Sequence, residues 1–308
     1  MSLLIIGSIG LDTIKTPFGL KKDILGGSGI YASVSAGFFS PTVLLGVAGS
    51  DFSKEHLDFL TSKNVDVSYV QTAPGQTFRW EGYYEYDMNQ AHTVATHLNV
   101  YDHFSAVLPK ELQGSEYVFL ANFDPEKQLK IIEQLEKPKF IAADTMNFWI
   151  DSKRPLLHQL IKKIDYLFMN ESEARQFMET PNLIIAAQRL IELGLKGVII
   201  KKGEHGALLF NQAGYFSAPS FPQGDLRDPT GAGDTFAGAF MGYLAQSNDL
   251  SQENIRRAIV IGSVMASFNI EDFSLERMRS LTRREIIGRF EEIKRMAHFD
   301  PLPAGHLV

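Results

Sequence analysis

Cysteine is absent from this 308-residue chain. Disulfides, thiolate metal sites and cysteine nucleophiles are excluded with it, and such a composition suits a reducing cytoplasm. Long hydrophobic runs are missing too. The apolar start Leu3-Leu4-Ile5-Ile6 is too short for a secretory h-region and has no basic flank, and no stretch approaches the roughly 20 apolar residues of a membrane span. It reads as a buried first strand, and no membrane partner is expected. A dense basic stripe is lacking as well: the formal charge of −6 spreads over interspersed acids and bases, which argues against nucleic acid as a partner. No Walker A loop occurs, Gly7-Ser8-Ile9-Gly10 lacks the full dinucleotide fingerprint, the eight histidines have no zinc-ligand spacing, and there is no nucleophile elbow. A P-loop, a standard Rossmann site, a zinc hydrolase and a serine esterase are therefore disfavoured.

What is present is an ordinary globular composition, 44% hydrophobic and 21% charged, with no internal repeat, low-complexity tract or long linker. Short apolar runs alternate with longer amphipathic stretches, the pattern of a sheet wound with helices. Strands are expected at Leu3–Ile6, Val43–Val47, Tyr117–Leu120, Phe140–Ala143, Tyr166–Met169, Val198–Ile200 and Ala207–Phe210. Helices are expected near Ser28–Phe39, Lys54–Ser62, Glu126–Leu135, Arg154–Ile164, Glu171–Met178 and Leu183–Leu193, then at Ala232–Ala245, Gln252–Phe268 and Arg283–Met296. In Ala232–Ala245, the residues Phe236, Phe240, Tyr243 and Leu244 share one face that should pack on the sheet. Thr77–Asp87 alternates with period two and Thr93–Leu98 can return beside it. Together with the arm Thr13–Ile24 they predict a small sheet, over about residues 13–24 and 74–98, projecting from a single domain that spans 1–308. The proline-containing tail Asp300–Gly305 is expected to drape on the surface.

In an open α/β sheet, ligands bind beyond the carboxyl ends of the strands. Polar residues follow several of the apolar runs: Asp12, Asn122, Asp144, Asn170 and Lys201-Lys202. Each alone reads as a cap or turn residue; five together outline a rim. The sharpest local signal is Asp228-Pro229-Thr230-Gly231-Ala232-Gly233-Asp234. With Thr230 as N-cap, Gly231, Ala232 and Gly233 would open a helix and offer free N–H groups to a phosphate, beside the carboxylate of Asp234. Helix capping explains Thr230 and Asp234 but not two glycines in one opening turn, each costing about 1 kcal/mol relative to alanine. A carboxylate beside a nest of donors suits phosphoryl transfer, in which a base orients the attacking hydroxyl and fixed donors meet the phosphate charge. Asn170 and Glu173 have two readings, as magnesium holders or as an N-cap with its first-turn acid. Gly26-Gly27-Ser28-Gly29 before a helix of small residues is either a tight packing turn or, beside Asp12, a floor for a sugar.

These motifs resemble those of the ribokinase-like carbohydrate kinases, the PfkB family, over about Leu4 to Leu275. The stretch Asp228–Phe236 matches the family's C-terminal signature almost residue for residue, and Gly26-Gly27, Asn170-x-x-Glu173 and Lys202-Gly203-x-x-Gly206 fall in the family's order. The resemblance implies an α/β fold, a central mostly parallel sheet flanked by helices with a small β-sheet lid, and ATP-dependent phosphorylation of a sugar or sugar derivative. A nucleoside acceptor, or a catalytically silent sugar-binding regulator, are the competing readings. It further implies Asp234 as base, the amides of Gly231, Ala232 and Gly233 as anion hole, and Asp12, Gly27 and Ser28 on the acceptor. Asn170 and Glu173 would organise Mg2+ and phosphates, Asp228 a monovalent cation such as K+, and Lys201, Gly203, Gly206 and Asn269 would border the nucleotide. Tyr31 stands where the family usually has a sugar-binding asparagine. With Arg79 of the lid, Asn122 and Asp144, it marks where this acceptor site should differ. The aromatic lid strand is expected either to cover the acceptor or to join two copies as a homodimer.

Overall fold

The computed structural model describes residues 3–300. Fourteen strands form two sheets: β1 (Leu3–Ile6), β2 (Gly10–Thr16), β3 (Gly19–Gly26), β4 (Thr42–Gly49), β5 (Val65–Asp66), β6 (Val70–Ala73), β7 (Phe78–Tyr84), β8 (Ala91–His97), β9 (Tyr117–Leu120), β10 (Phe140–Asp144), β11 (Tyr166–Asn170), β12 (Gly197–Lys201), β13 (Ala207–Asn211) and β14 (Gly214–Ala218). The large sheet runs β14-β13-β12-β11-β10-β9-β1-β4-β5, with β6 also beside β4. It is parallel except at the β12–β13 and β13–β14 hairpins. β5, β6 and β14 were not among the expected strands. β5 has two residues, and β6 and β14 are largely uncovered edge strands without a sustained apolar run.

Parallel strands are covered on both faces, and side chains alternate between them. β1 sends Leu3 and Ile5 into one buried cluster and Leu4 and Ile6 into the other. The first face carries the helices Ser28–Gly37, Ala232–Ser247 and Gln252–Asn269. Phe236, Phe240 and Leu244 pack on the sheet as their spacing predicts, Phe240 meeting the rings of Phe140, Tyr166 and Phe168. Truncating such a residue to alanine typically costs about 3–5 kcal/mol. Tyr243 is only half-buried and turns to Phe39 and Asn254. The helix of small residues was expected to pack closely: a Cβ on Gly242 would lie 2.7 Å from the Ala36 carbonyl, so the two helix backbones nearly touch. Gly238 meets Ala32 in the same way, and the Tyr31 ring meets Gly231 at the helix entrance.

The second sheet, β3-β2-β7-β8, is the projecting lid. Only Gly7-Ser8-Ile9 separate β2 from β1, so the chain leaving the central strand enters the lid almost at once. β7 pairs in parallel with β2, and the register sets Asp12 beside Trp80 and Ile14 beside Gly82. The tail from Pro301 onward lies outside the described residues. Among the described residues, no helix is long and apolar enough to cross a membrane.

Candidate active site

The carboxyl ends of β10, β11 and β12 bring four charged groups together. Lys201, the last residue of β12, reaches across the end of β11 to Asp144, the last of β10, with Nζ 2.7 Å from Oδ2. The other Asp144 oxygen accepts the Thr145 amide at 2.8 Å. Asp144 is 3% exposed, so it serves Lys201 as counter-ion instead of facing an acceptor. The Lys201 ammonium also lies against the signature turn, 2.9 Å from where a Cβ on Gly233 would sit. Burial alone would discharge this lysine, but the fields of Asp144, Glu173 and Asp234 outweigh it and hold its pKa above the ordinary value. One fixed cation therefore stands among three carboxylates.

The signature helix starts at Ala232 as expected, but with a different cap. Gly231, not Thr230, is the N-cap, with φ 74°, and the helix runs Ala232–Ser247. A left-handed backbone favours glycine, and the Tyr31 ring lies where a Gly231 Cβ would project. Gly231 is thus required by the fold itself, while Gly233 makes room for Lys201. The Ala232 amide is drawn back to the Pro229 carbonyl at 3.2 Å, which leaves Gly231 and Gly233 as the more open donors of the expected anion hole. Asp234, in the first turn, is half-buried. Burial, reinforced by Asp144 and opposed by Lys201, lifts its pKa to about 7. That value suits a general base near neutral pH.

On the acceptor side, Asp12, Gly27, Ser28 and Asn122 do gather. Asp12 is 3% exposed, and its Oδ1 has no hydrogen-bond partner. Burial, with the charges of Asp228 and Asp234 adding to it, raises its pKa to about 8. An unpaired buried carboxylate is costly and is relieved by a hydroxyl donor from a ligand. Ser28 is committed elsewhere: its hydroxyl donates to the Asn122 carbonyl at 3.1 Å and pairs with Ser8. The Asn122 side chain accepts from Trp149 Nε1 at 3.0 Å. These two residues tie the ends of β1 and β9 together behind Asp12.

Two expected acceptor contacts lie apart from it. Tyr31 is 1% exposed beneath Gly231, its hydroxyl beside Ser274. Its ring supports the anion-binding turn from below. Arg79 falls on the opposite face of β7 from Trp80 and is paired with Asp23 and, at 2.8 Å, with Asp51. It braces the lid against its root.

On the nucleotide side, Asn170 and Glu173 make the capping box: Asn170 Oδ1 accepts the Glu173 amide and Glu173 Oε2 accepts the Asn170 amide, both at 2.8 Å. The box occupies one oxygen of each side chain. Burial, countered by Lys201, lifts the Glu173 pKa to about 7, and a cation would lower it. Oxygen donors at a rim fit Mg2+ carried in on phosphates. Among the described residues no cluster of three or more His, Asp or Glu forms a dedicated metal cage. Gly203 and Gly206, with φ 54° and 83°, shape the turn after β12. Asn269 is fully buried: Nδ2 donates to the Thr230 carbonyl at 2.8 Å and Oδ1 accepts from Thr235 Oγ1 at 3.1 Å. It braces the signature turn and does not border a nucleotide. Asp228 is fully buried too, its two oxygens taking the amides of Thr230 and Ser274 at 2.9 and 3.1 Å. Each carboxylate oxygen has a second lone pair, so these two amides leave Asp228 able to serve a monovalent cation at this turn.

Two side chains of this region were not singled out from sequence. Tyr84, at the end of β7, reaches the signature turn, where its hydroxyl meets Thr230 Oγ1 at 3.3 Å. The available signal was that it shares a strand face with Phe78, Trp80 and Gly82. Gln128, fully buried, donates from Nε2 to the carbonyls of Leu120, Ala121 and Asp144 and straps the ends of β9 and β10. No local pattern announces it.

Comparison with known proteins agrees with this geometry. The profile of the pfkB family carbohydrate kinases matches residues 23–279. A cytidine kinase of Thermococcus kodakarensis is 29% identical over 259 residues, 82% of this chain and 91% of that protein. The fold is shared with a nucleoside kinase of Burkholderia thailandensis in complex with inosine, at a TM-score of 0.77 and 21% identity over 94% of this chain and 97% of that one. A ribokinase II of E. coli, solved with ATP and Mg2+, superimposes at 0.77 with 18% identity, covering 96% and 99%.

Proposed function

This chain belongs to the pfkB family of carbohydrate kinases, and from that premise we propose that the alcohol it phosphorylates is a sugar hydroxyl of a nucleoside. It is an ATP-dependent phosphotransferase acting on a hydroxyl of a sugar or nucleoside; the choice between the two rests on one observation. Asp12, whose free oxygen calls for a hydroxyl, is the register partner of Trp80 on the lid. The indole lies along that face over Gly82, where any larger side chain would collide with it, and Trp80 Nε1 is anchored to Thr93 Oγ1 at 3.1 Å. A hydroxyl anchor beside a flat aromatic surface matches a ribose joined to a base. The similarity to a cytidine kinase over most of both chains supports the same reading.

The residues divide the work as follows. Asp12 holds an acceptor hydroxyl, and Asp234 takes the proton from the attacking one. The amides of Gly231 and Gly233, with Lys201, receive the charge of the transferring phosphoryl group. Asn170 and Glu173 orient the nucleotide phosphates and their metal. Magnesium bound with ATP supplies charge neutralisation on those phosphates. Asp228, whose oxygens each keep a free lone pair, would also offer a ligand to a monovalent cation such as K+. The open lid edges, with Phe18, Leu20 and Val94 exposed, support pairing of two copies, which sedimentation at graded concentrations would test.

The deciding experiment measures ATP consumption and phosphorylated product with a panel of nucleosides and free sugars. A nucleoside is expected to be the best acceptor, and Trp80→Ala to lose roughly 5- to 150-fold in kcat/KM toward it, the equivalent of about 1–3 kcal/mol of base stacking. A free sugar turned over better than every nucleoside, with Trp80→Ala neutral, would overturn the assignment.

A further inference from the structure

The lid hairpin runs from the proposed acceptor place to the proposed nucleotide place. At its root, β7 runs beside β2 and Asp12, the acceptor anchor. At its tip, Met88 is buried and Asn89 reaches the turn after β12: its Nδ2 lies 3.4 Å from Glu204 Oε1, and its Oδ1 lies 3.0 Å from where a Gly203 Cβ would be. That turn stands on the nucleotide side. Between root and tip, Tyr84 crosses from the lid to Thr230. Thr230 is held in turn by Asp228 through its amide and by Asn269 through its carbonyl.

Three features separate this contact from incidental lid packing. Tyr84 shares its strand face with Trp80, so the wall that flanks Asp12 also carries the hydroxyl. The contacted residue, Thr230, immediately precedes the left-handed Gly231 on which the anion-binding amides turn. Lastly, the Tyr84 phenol is buried and its ionisation suppressed, chiefly by that burial, with the charges of Asp228, Asp12 and Asp234 adding to the effect. It therefore stays a neutral group able to donate and accept among three carboxylates. The neighbouring Tyr83 and Tyr86 are exposed, and Tyr83 stacks on His92 within the hairpin itself.

We propose that Tyr84 is a positioning residue for phosphoryl transfer: it locks the closed lid onto Thr230, so that the anion-binding turn is set, and water is shut out, only when the hairpin spans both substrates. The inference rests on the kinase reading but not on the acceptor being a nucleoside. Opened at this point, the lid would admit water to the γ-phosphate in place of the acceptor, giving ADP and inorganic phosphate.

The test compares wild type with Tyr84→Phe, which removes one hydroxyl and keeps the ring. Transfer to the acceptor, ATP hydrolysis without acceptor, and hydrogen exchange of residues 84–91 with a non-hydrolysable ATP analogue are measured on both. In the variant, kcat is expected to fall roughly fivefold, the worth of one hydrogen bond, with KM for ATP little changed. The ratio of hydrolysis to transfer is expected to rise, and the analogue should protect the hairpin less than in wild type. A merely structural tyrosine would lower thermal stability without moving that ratio or that protection, and such a result overturns the proposal. So does equal hairpin protection in both proteins, an outcome readable without any acceptor. Should Tyr84→Phe misfold, Asn89→Ala at the exposed tip must raise the same ratio, and if it leaves it unchanged the proposal fails.

Discussion

Lys201→Met tests how the charge of the site is arranged. The substitution removes a cation that sits 2.7 Å from Asp144 and against Gly233 while keeping most of the side-chain volume. Losing one fixed donor to a transition-state oxyanion costs about 10²–10³ in kcat, and an ammonium next to the transferring phosphoryl should lie in that range. A second consequence follows from the sign of the field. Lys201 holds the Asp234 pKa down against burial and Asp144, leaving it at about 7; without the cation it must rise. The acid limb of the kcat–pH profile should therefore move to higher pH, and part of the loss should be recovered in alkaline buffer. The Asp144 carboxyl, 4% exposed and stripped of its partner, also destabilises the single variant. Lys201→Met combined with Asp144→Asn removes both charges and should restore thermal stability while leaving turnover low. Steady-state kinetics from about pH 6 to pH 9, spanning the ordinary range of a base near neutrality, alongside melting curves, would settle it. Turnover within threefold of wild type (about 0.6 kcal/mol) or an unmoved acid limb would refute the assignment of Lys201 to the phosphoryl group.

Two further outcomes follow from the same geometry. Asp12, Asp234 and Glu173 have pKa values raised to about 8, 7 and 7, so folding takes up protons at these positions. Their contribution is fully present below the unfolded carboxylate range and is lost as pH rises through 7 to 8. The ligand-free protein should melt at a higher temperature near pH 6 than near pH 8.5, with Asp12→Asn raising the melting temperature at the alkaline end while lowering acceptor affinity; a rising melting temperature from pH 6 to 8.5 contradicts this. Turnover should be higher with K+ than with tetramethylammonium, and Asp228→Asn, which removes the carboxylate charge at the turn, should lose most of that stimulation. Equal wild-type turnover and equal melting temperature in the two salts would show that no monovalent cation is held there.

Much of the fold could be read from the chain because its central strands are short continuous apolar runs and its helices carry clear starts. Leu3–Ile6, Tyr117–Leu120, Lys54–Ser62 and Glu171–Met178 stand where spacing and caps put them. The edges were less legible, since β5, β6 and β14 are held by neighbours more than by their own pattern. In the site, residues whose proposed roles depend on local geometry were the legible ones: Asp234 from its helix entrance, Asp12 from its place just after the first strand. Side chains whose roles depend on distant partners were not. Asp144 looked like a rim acid until Lys201, 57 residues on, claimed it. Asn269 looked like a nucleotide contact until its amide turned to Thr230. Tyr31 looked like an acceptor contact because it stands where the family usually has a sugar-binding asparagine, but its position within the helix directs it under Gly231. Spacing finds which residues reach a rim; only the packing decides which way each one faces.

The disposition of charge explains why so much of the site is held internally. Asp12 has a bare oxygen, Asp234 and Glu173 are pushed toward neutrality, and Lys201 is the cation placed among them. Left alone this is a strained arrangement, with more acid than base in a low-dielectric rim. Under the proposed function each deficit would be met by something a substrate brings: a hydroxyl donor for Asp12, a proton to be taken by Asp234, a metal for the Glu173 side, and an anion to share Lys201 with Asp144. A site that binds no phosphate would gain stability by replacing Asp12 or Asp234 with their amides. Retaining these acids beside Gly231 and Gly233 is therefore costly in a silent sugar-binding protein and purposeful in a kinase. Raised stability together with lost turnover in Asp12→Asn and Asp234→Asn would be the mark of that difference, and a loss of stability in both would argue that these carboxylates serve the fold.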